Sequence, residues 1–396
     1  MKSALRLSVL IFALAACAAA QTYTYQIKLG VKAESPFSRL TIVGSKGYLS
    51  SDAPAGILLA QLTGVHLITR CCQSEAPLAV DAAGNLYGEA AGNNGRIFMI
   101  NQRGQETDIH IFNGSDGTVY ISGGFPPLEE SPVILDVLGN VWGMTYGGGP
   151  NTCTTIGGVR QGCGVVFELT NNNGTWSEQV IHAFSGPPDG AGPEGGLTFD
   201  PLTGNWYGTT QYGGDPVCNC GTVFGLSPNG DGTWSENIIY TFTTRGIPNG
   251  GVILDSAGDL YGTNYYGRFG GGFGYVYEIS GGQFSVIYSF QGMPDGENPN
   301  SSLIFDSLGN LMGTTYQGGT FSGPGGQNGF GTIFELGPSG GTWHETVVHS
   351  FAWKNQKPTD GRLPTSGLAM DGTGNLWGST PYGGAGGQGV FFEITK

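Results

Sequence analysis

One phrase recurs along the whole chain: an Asp, two or three variable residues, Gly-Asn or Gly-Asp, an apolar pair and a further Gly. It stands as "AVDAAGNLYGEA", "ILDVLGNVWGMTYGGG", "TFDPLTGNWYGTTQYGG", "ILDSAGDLYGTNYYG", "IFDSLGNLMGTTYQGG" and "AMDGTGNLWGSTPYGG". Aligned on Asp81, Asp136, Asp200, Asp255, Asp306 and Asp371, the copies are 55, 64, 55, 51 and 65 residues apart. A period near fifty without helical periodicity is a repeat built of strands. Each unit divides into four short β-type runs, exemplified by "GLTFD", "NWYGTT", "GTVFGL" and "WSEQVIHAF". Four strands per unit, apolar on both faces and repeated in tandem, predict an all-β closed propeller.

The Asp-x-x-Gly-Asn segment has type I turn chemistry and joins the first two strands of a blade. Gly88, Gly143, Gly208, Gly262, Gly313 and Gly378 each follow an aromatic residue or Met in the second strand, where a missing side chain permits close approach of crowded neighbouring sheets. "RLTIVGSKGYLSS" is a degraded copy with Val43 in place of Asp, making seven units. The chain stops on a third strand, "GQGVFFEITK", and "TYTYQIKL" near the start resembles the missing fourth. The two would complete one blade and remove an open sheet edge. The expectation is one domain over residues 22–396 with seven four-stranded blades, monomeric by default.

Composition excludes some functions. The 73 glycines fall at fixed places in the pattern, so the chain is neither collagen nor a linker. A net charge of −14 argues against nucleic acid and anionic lipid, both of which need Lys and Arg. Lys2, Arg6 and the apolar "LSVLIFALAA" form an export signal too short to span a bilayer, and no other stretch is long enough. Cleavage after Ala20 competes with the lipoprotein-like "LAAC", which would end the signal at residue 16 and lipidate Cys17. The expected location is therefore outside a bacterial cytoplasm: secreted, periplasmic or lipid-anchored. Cys71, Cys72, Cys153, Cys163, Cys218 and Cys220 are an even set, as disulfides require in an exported protein. Cys153 and Cys163 share one Gly-rich loop, which favours their local pairing; Cys218 and Cys220 lie in the equivalent loop of the next repeat.

Together the blade phrase, a "GTVFEL"-like strand, a W-S-E…F strand and a D-G-x-x-P loop resemble the GloVer-type tandem-repeat proteins, exported bacterial proteins. The resemblance spans nearly the whole chain beyond the signal and implies a secreted or surface-anchored propeller. It carries no catalytic residues. The chain departs from the pattern in its first two units, where "GEAAGNNGRIFMI" lacks the usual Thr and most of the loop.

Reactive groups mostly sit at repeated positions. His110, His182 and His349 share a place with Tyr240 and Tyr288, which reads as packing on the outer strand. Glu168, Glu278, Glu335 and Glu393 share one in the third strand, so no unique carboxylate pair for glycosidase chemistry emerges. No zinc spacing, nucleophile elbow or P-loop is present. "NGDGT" at 229–233 is a fragment of a calcium-loop pattern without its later ligands; it raises calcium as the single cofactor considered and reads more simply as a hairpin turn.

In an up-and-down blade, the second-to-third loop and the blade-to-blade loop leave on the same rim. The first group holds Tyr146, Tyr212, Tyr266, Tyr316 and Tyr382, with Arg268 nearby; the second holds Asp189, Asp295 and Asp360. Tyrosine offers an apolar face and a polar tip, suited to sugar or peptide contacts. These residues are the expected ligand-binding set, weighed against rings covering blade tops and aspartates capping turns. The expected function is a non-catalytic exported binding or scaffold module for extracellular polysaccharide or a protein partner. The alternatives are a propeller enzyme on glycans or lactones, with Glu129, Glu130, Glu194 and Glu297 as candidate acids, and a purely structural envelope protein.

Overall fold

The computed structural model describes the strands between residues 24 and 69, and residues 76–395 apart from 91–93, 120–130, 155–159, 245, 268–271, 322–327, 355–356, 359, 385–386 and 388. Cys17, Cys71, Cys72, Glu129, Glu130, Arg268 and the signal segment lie outside these residues. Among the described residues six sheets have four strands, a seventh has five because its innermost strand is broken in two, and two small sheets have two strands each. Blade 1 comprises Thr41–Val43, Lys46–Asp52, Ala55–Gln61 and Gly64–Thr69, and blade 2 begins at Ala79–Val80. Blades 3, 4, 5 and 6 begin at Ile134–Leu135, Gly190–Phe199, Ile253–Leu254 and Gly296–Pro299. Blade 7 takes Ala369–Met370, Leu376–Thr380 and Val390–Thr395 from the end of the chain and Thr24–Gly30 from its start. Those last two pair antiparallel, Thr24 opposite Thr395 and Gly30 opposite Val390, so the ring closes as expected.

Strands run in order from axis to outside in every blade. The run Trp176–Phe184 quoted above therefore belongs to blade 3; the outer strand of blade 4 is Trp234–Thr241. A hairpin at 171–174 pairs Trp176 with Asn171, which fixes the earlier assignment.

The turn Asp behaves as its position predicts. Asp136 accepts Gly139 N–H on its carbonyl, Leu138 and Asn140 N–H on Oδ1, and the Asn140 amide and Trp142 indole on Oδ2. For the equivalent Asp371, burial would raise the carboxyl; hydrogen bonds from Thr373, Trp377 and Asn375 outweigh it and hold it at about 2. The repeated third-strand glutamates brace the same hairpins: Asn140 donates to Glu168 at 3.0 Å, Tyr261 to Glu278 at 2.8 Å and Asn375 to Glu393 at 3.3 Å. Asn229 N–H donates to the Thr233 carbonyl at 2.9 Å, so "NGDGT" is a hairpin turn.

The second-strand glycines answer to their own blade, which corrects the expectation that neighbouring sheets crowd them. Gly208 lies opposite Phe224 of the third strand, and a methyl group there would sit 2.6 Å from the Phe224 ring. Phe224 then meets Phe184, the residue that closes the preceding blade, edge to face at 5.1 Å. The same joint recurs as Phe112–Phe167, Phe242–Tyr277, Phe290–Phe334 and Phe351–Phe392, at 5.3, 5.6, 5.1 and 5.6 Å. Each ring lies over the glycine of its blade and under the aromatic of the blade before.

Gly208→Ala is expected to destabilise the fold by about 2 kcal/mol, because the ring beneath must shift in a packed core. Gly372→Ala, where an added methyl meets nothing, should be neutral within about 0.5 kcal/mol in the same thermal unfolding measurement. Tyr277 is wholly buried and its hydroxyl has no partner among the described residues. Tyr277→Phe should therefore stabilise by about 1 kcal/mol.

Candidate functional site

The axis of the ring has two unlike mouths. The mouth on the side of the Asp turns is an apolar funnel of ≈ 380 Å³, to which each blade contributes: Thr41, Leu78, Ile134, Thr198, Ile253, Ile304 and Ala369. The opposite mouth is polar, and its floor forms where three inner strands meet. "PEGG", "PNGG", "PNSS" and "PTSG" start at Pro193, Pro248, Pro299 and Pro364, in step relative to the turn Asp. Their small third and fourth residues let backbones touch. Ser302 Oγ of blade 6 accepts from Gly251 N–H of blade 5 at 3.1 Å and donates to the Gly195 carbonyl of blade 4 at 3.3 Å. A side chain on Gly195 would collide with Gly251 N.

The second residue of each quartet is polar and sits just above this floor: Glu194, Asn249, Asn300 and Thr365, all at most 5% exposed. A relay of hydroxyls sets them side by side. Thr209 donates to the carbonyls of Glu194 and, one blade on, Gly250; Thr263 donates to Ser301 and Thr314 to Ser366. Glu194 is directly opposite Thr209, so both side chains lie on the sheet face turned to blade 5. Neither amide atom of Asn249 or Asn300, nor the Thr365 hydroxyl, has a partner among the described residues.

Above these residues the expected tyrosines fall into two registers. Tyr146, Gln211, Tyr265 and Tyr316 stand three places after the second-strand Gly; Tyr212, Tyr266 and Tyr382 stand four after. Tyr316 is buried at 1% exposure, whereas Tyr146, Tyr212, Tyr266 and Tyr382 are half-buried. Burial pushes the Tyr316 hydroxyl up to about 12, with Tyr382 adding to the rise and Arg362 opposing it. Burial also raises Tyr265, helped by Tyr266, Tyr316 and Glu297. The Arg362 guanidinium lies 5.3 Å from the Tyr382 ring centre. Glu297 accepts from the Asn328 amide at 3.4 Å, and burial raises its carboxyl.

Tyr146 and Tyr212 are brought together on the other side of the rim. Tyr146 donates to Gln211 Oε1 at 2.9 Å. Both rings line a pocket of ≈ 280 Å³ with Pro187, Pro216, Ser185 and Asn219. The pocket lies between two disulfide-closed loops, Cys153–Cys163 and Cys218–Cys220. Burial raises the Tyr212 hydroxyl and nearby Glu194 adds to the rise, against a hydrogen bond with Tyr146.

The loop aspartates turn onto their own loops. Asp189 accepts Ser185 and Gly190 N–H, Asp295 accepts Gln291 and Gly296 N–H, and Asp360 accepts Ala352 N–H. Each also meets the outer-strand residue of its blade: His182 at 3.3 Å, Tyr288 at 3.0 Å and His349 at 3.1 Å. His182–Asp189 and a further pair, His110–Asp116 at 3.4 Å, each gain a glutamate from the next blade, giving His110–Asp116–Glu178 and His182–Asp189–Glu236, with the facing nitrogen and oxygen atoms of each group within 4.8 Å of one another. Between blades 5 and 6 the group is Tyr288, Asp295 and Glu345. Tyrosine takes the place of histidine there, so the recurring element is a loop aspartate held by an outer-strand His or Tyr beside a glutamate of the next blade.

The signal that would have exposed the polar mouth is the quartet alignment. Sequence reasoning sought acids unlike their repeat equivalents and named Glu194 and Glu297; it missed Asn249, Asn300, Thr365, Gln211, Tyr265 and Arg362. The repeat itself decides the relationship, because a family model for the Gloeobacter/Verrucomicrobia repeat matches residues 131–323 and 218–396. The chain belongs to that repeat family. Among curated proteins none matches it in sequence. The propeller of this Gloeobacter/Verrucomicrobia repeat protein is similar to an inactive variant of virginiamycin B lyase from Staphylococcus aureus, solved with quinupristin (TM-score 0.56, 12% identity, 94% of this chain and 99% of that one). It is also similar to a puromycin-hydrolyzing peptidase from Mycobacterium tuberculosis (TM-score 0.54, 10% identity, 91% of this chain and 52% of that one). At such identities the likeness is one of fold.

Burial and neighbouring aspartates raise Glu178 and Glu345 to about 7. A carboxyl with a raised folded pKa stabilises fully below its ordinary value near 4.5, and that contribution fades as pH rises through 7. The double variant Glu178→Gln, Glu345→Gln should match wild type near pH 4.5. At pH 8 it should be the more stable by about 1 kcal/mol per site, since solvent screens these partly exposed groups. Melting temperatures across that range check it.

Proposed function

We propose that this protein is an exported, non-catalytic binding module that holds extracellular polysaccharide on its loop-rich rim. The pocket between Tyr146 and Tyr212 carries the reading. It offers two aromatic faces, two prolines, a hydroxyl and an amide in ≈ 280 Å³, between loops stiffened by disulfides. Aromatic faces pack on the C–H faces of sugar rings, while amides and hydroxyls meet their hydroxyls. Gly192 leaves space between the rings: a methyl there would come within 3.2 Å of Tyr146 and 3.3 Å of Tyr212. The disulfides and the N-terminal signal pattern support export. Among the described residues no helix is long and apolar enough to cross a membrane.

Binding to a polysaccharide panel, with each mixture assayed for released sugar, tests the proposal. Saturable binding with intact glycan is expected. The double variant Tyr146→Ala, Tyr212→Ala should weaken it at least about tenfold, each ring contributing roughly 1 kcal/mol. Released sugar, or binding indifferent to both rings, would overturn the reading and move attention to the glutamates of the axial mouth.

A further inference from the structure

The polar mouth holds more hydrogen-bonding capacity than the described residues satisfy. Asn249 and Asn300 are wholly buried, and each presents an unpartnered amide oxygen and nitrogen; Thr365 adds an unpartnered hydroxyl at 3% exposure. Buried polar groups without partners are disfavoured unless something fills the space between them. They occupy one repeat position in consecutive blades, and Glu194 occupies it in the blade before. The hydroxyl relay through Thr209, Thr263 and Thr314 fixes the order Glu194, Asn249, Asn300, Thr365 around the axis at one height. Each of these threonines reaches toward the following blade, and Glu194 shares the face of Thr209. Asn300 directly follows the Pro299–Thr315 pair, and the Ser301 hydroxyl next to it meets the Thr314 hydroxyl at 3.0 Å. The floor beneath, Gly195–Ser302–Gly251, closes the axis toward the apolar mouth.

We infer that this position is a binding site for one divalent cation of the calcium class, held on the axis of the propeller. The oxygen donors at this position are a carboxylate, two amide carbonyls and a hydroxyl. All are hard oxygens, with neither imidazole nor thiolate among them, which excludes zinc-type selection. Neutral carbonyls mixed with a single carboxylate on separate strands suit calcium, which accepts irregular oxygen shells; magnesium demands a stricter octahedron. Coordination places left open face the mouth, where water or hydroxyls of an entering molecule complete the shell. The amide nitrogens of Asn249 and Asn300 remain donors to those oxygens. The net charge of −14 favours cation entry. This site adjoins the Tyr146–Tyr212 pocket through Glu194, which lies near Tyr212, but it is read by calcium and the pocket by glycan, so either can fail alone.

The test is calcium titration by calorimetry into the whole folded chain after chelator treatment, with melting temperature followed in parallel. Saturable binding of a single ion per chain is expected, with a rise in melting temperature. Asn300→Leu should weaken binding at least about tenfold, and Asn249→Asp, which adds a carboxylate, should tighten it about tenfold. If Asn300→Leu fails to fold, Asn249→Asp decides. No saturable calcium binding by the wild type would overturn the inference and show that water fills the mouth. Binding that neither variant moves would overturn it too, by placing the ion elsewhere.

Discussion

Everything in this ring rests on a three-part joint: an exit aromatic of one blade, a third-strand aromatic of the next, and the glycine beneath it. An edge-to-face aromatic pair contributes roughly 0.5–1.5 kcal/mol beyond the area it buries, and five such pairs link blades 2 to 7. The joint also sets distance. The glycine lets the ring lie close against the second strand, and the ring then presents its edge outward at one height to the preceding blade. Blades 3 to 7 repeat that geometry, so the spacing between neighbours is preserved from blade 2 to blade 7.

The joint explains why the architecture was legible. The Asp that starts each hairpin and the Gly after each second-strand aromatic are local requirements, written into every unit, and their period gives blade number and strand order. The closing blade was legible for a complementary reason, since an unpaired third strand at one end matched a spare strand at the other. The role of the glycine was not legible, because its partner, such as Phe224 for Gly208, lies on a different strand and is found only through register.

The site was legible in part. Gathering the second-to-third and blade-to-blade loops on one rim follows from the meander, and contacts such as Arg362 opposite Tyr382 and Thr118 opposite Gly147 bear out the common rim. Treating the rim tyrosines as one set hid a one-residue offset. Burial does not follow register alone: Tyr316 is buried, whereas Tyr146 in the same register is half-buried and shares a pocket with Tyr212 of the other register. The histidines illustrate the opposite case. Their interchange with tyrosine signalled structure, and His182 and Tyr288 both proved to hold a loop aspartate.

Repetition was taken as a mark of structure, and for Asp, Gly and Phe it is. The quartets show where that rule needs refinement. Their outer frame is constant: proline first, then small residues that let Gly195, Gly251 and Ser302 close the axis. Only the second residue varies, as Glu, Asn, Asn and Thr, and it is buried in each of these blades. A ring converts one repeat position into a circle of different side chains around one point. Chemistry on such a scaffold needs no residue foreign to the repeat, only a repeated place near the axis where packing does not dictate the side chain. That place is marked by polar variation inside a small-residue frame, and here it coincides with buried amides that have no partner among the described residues.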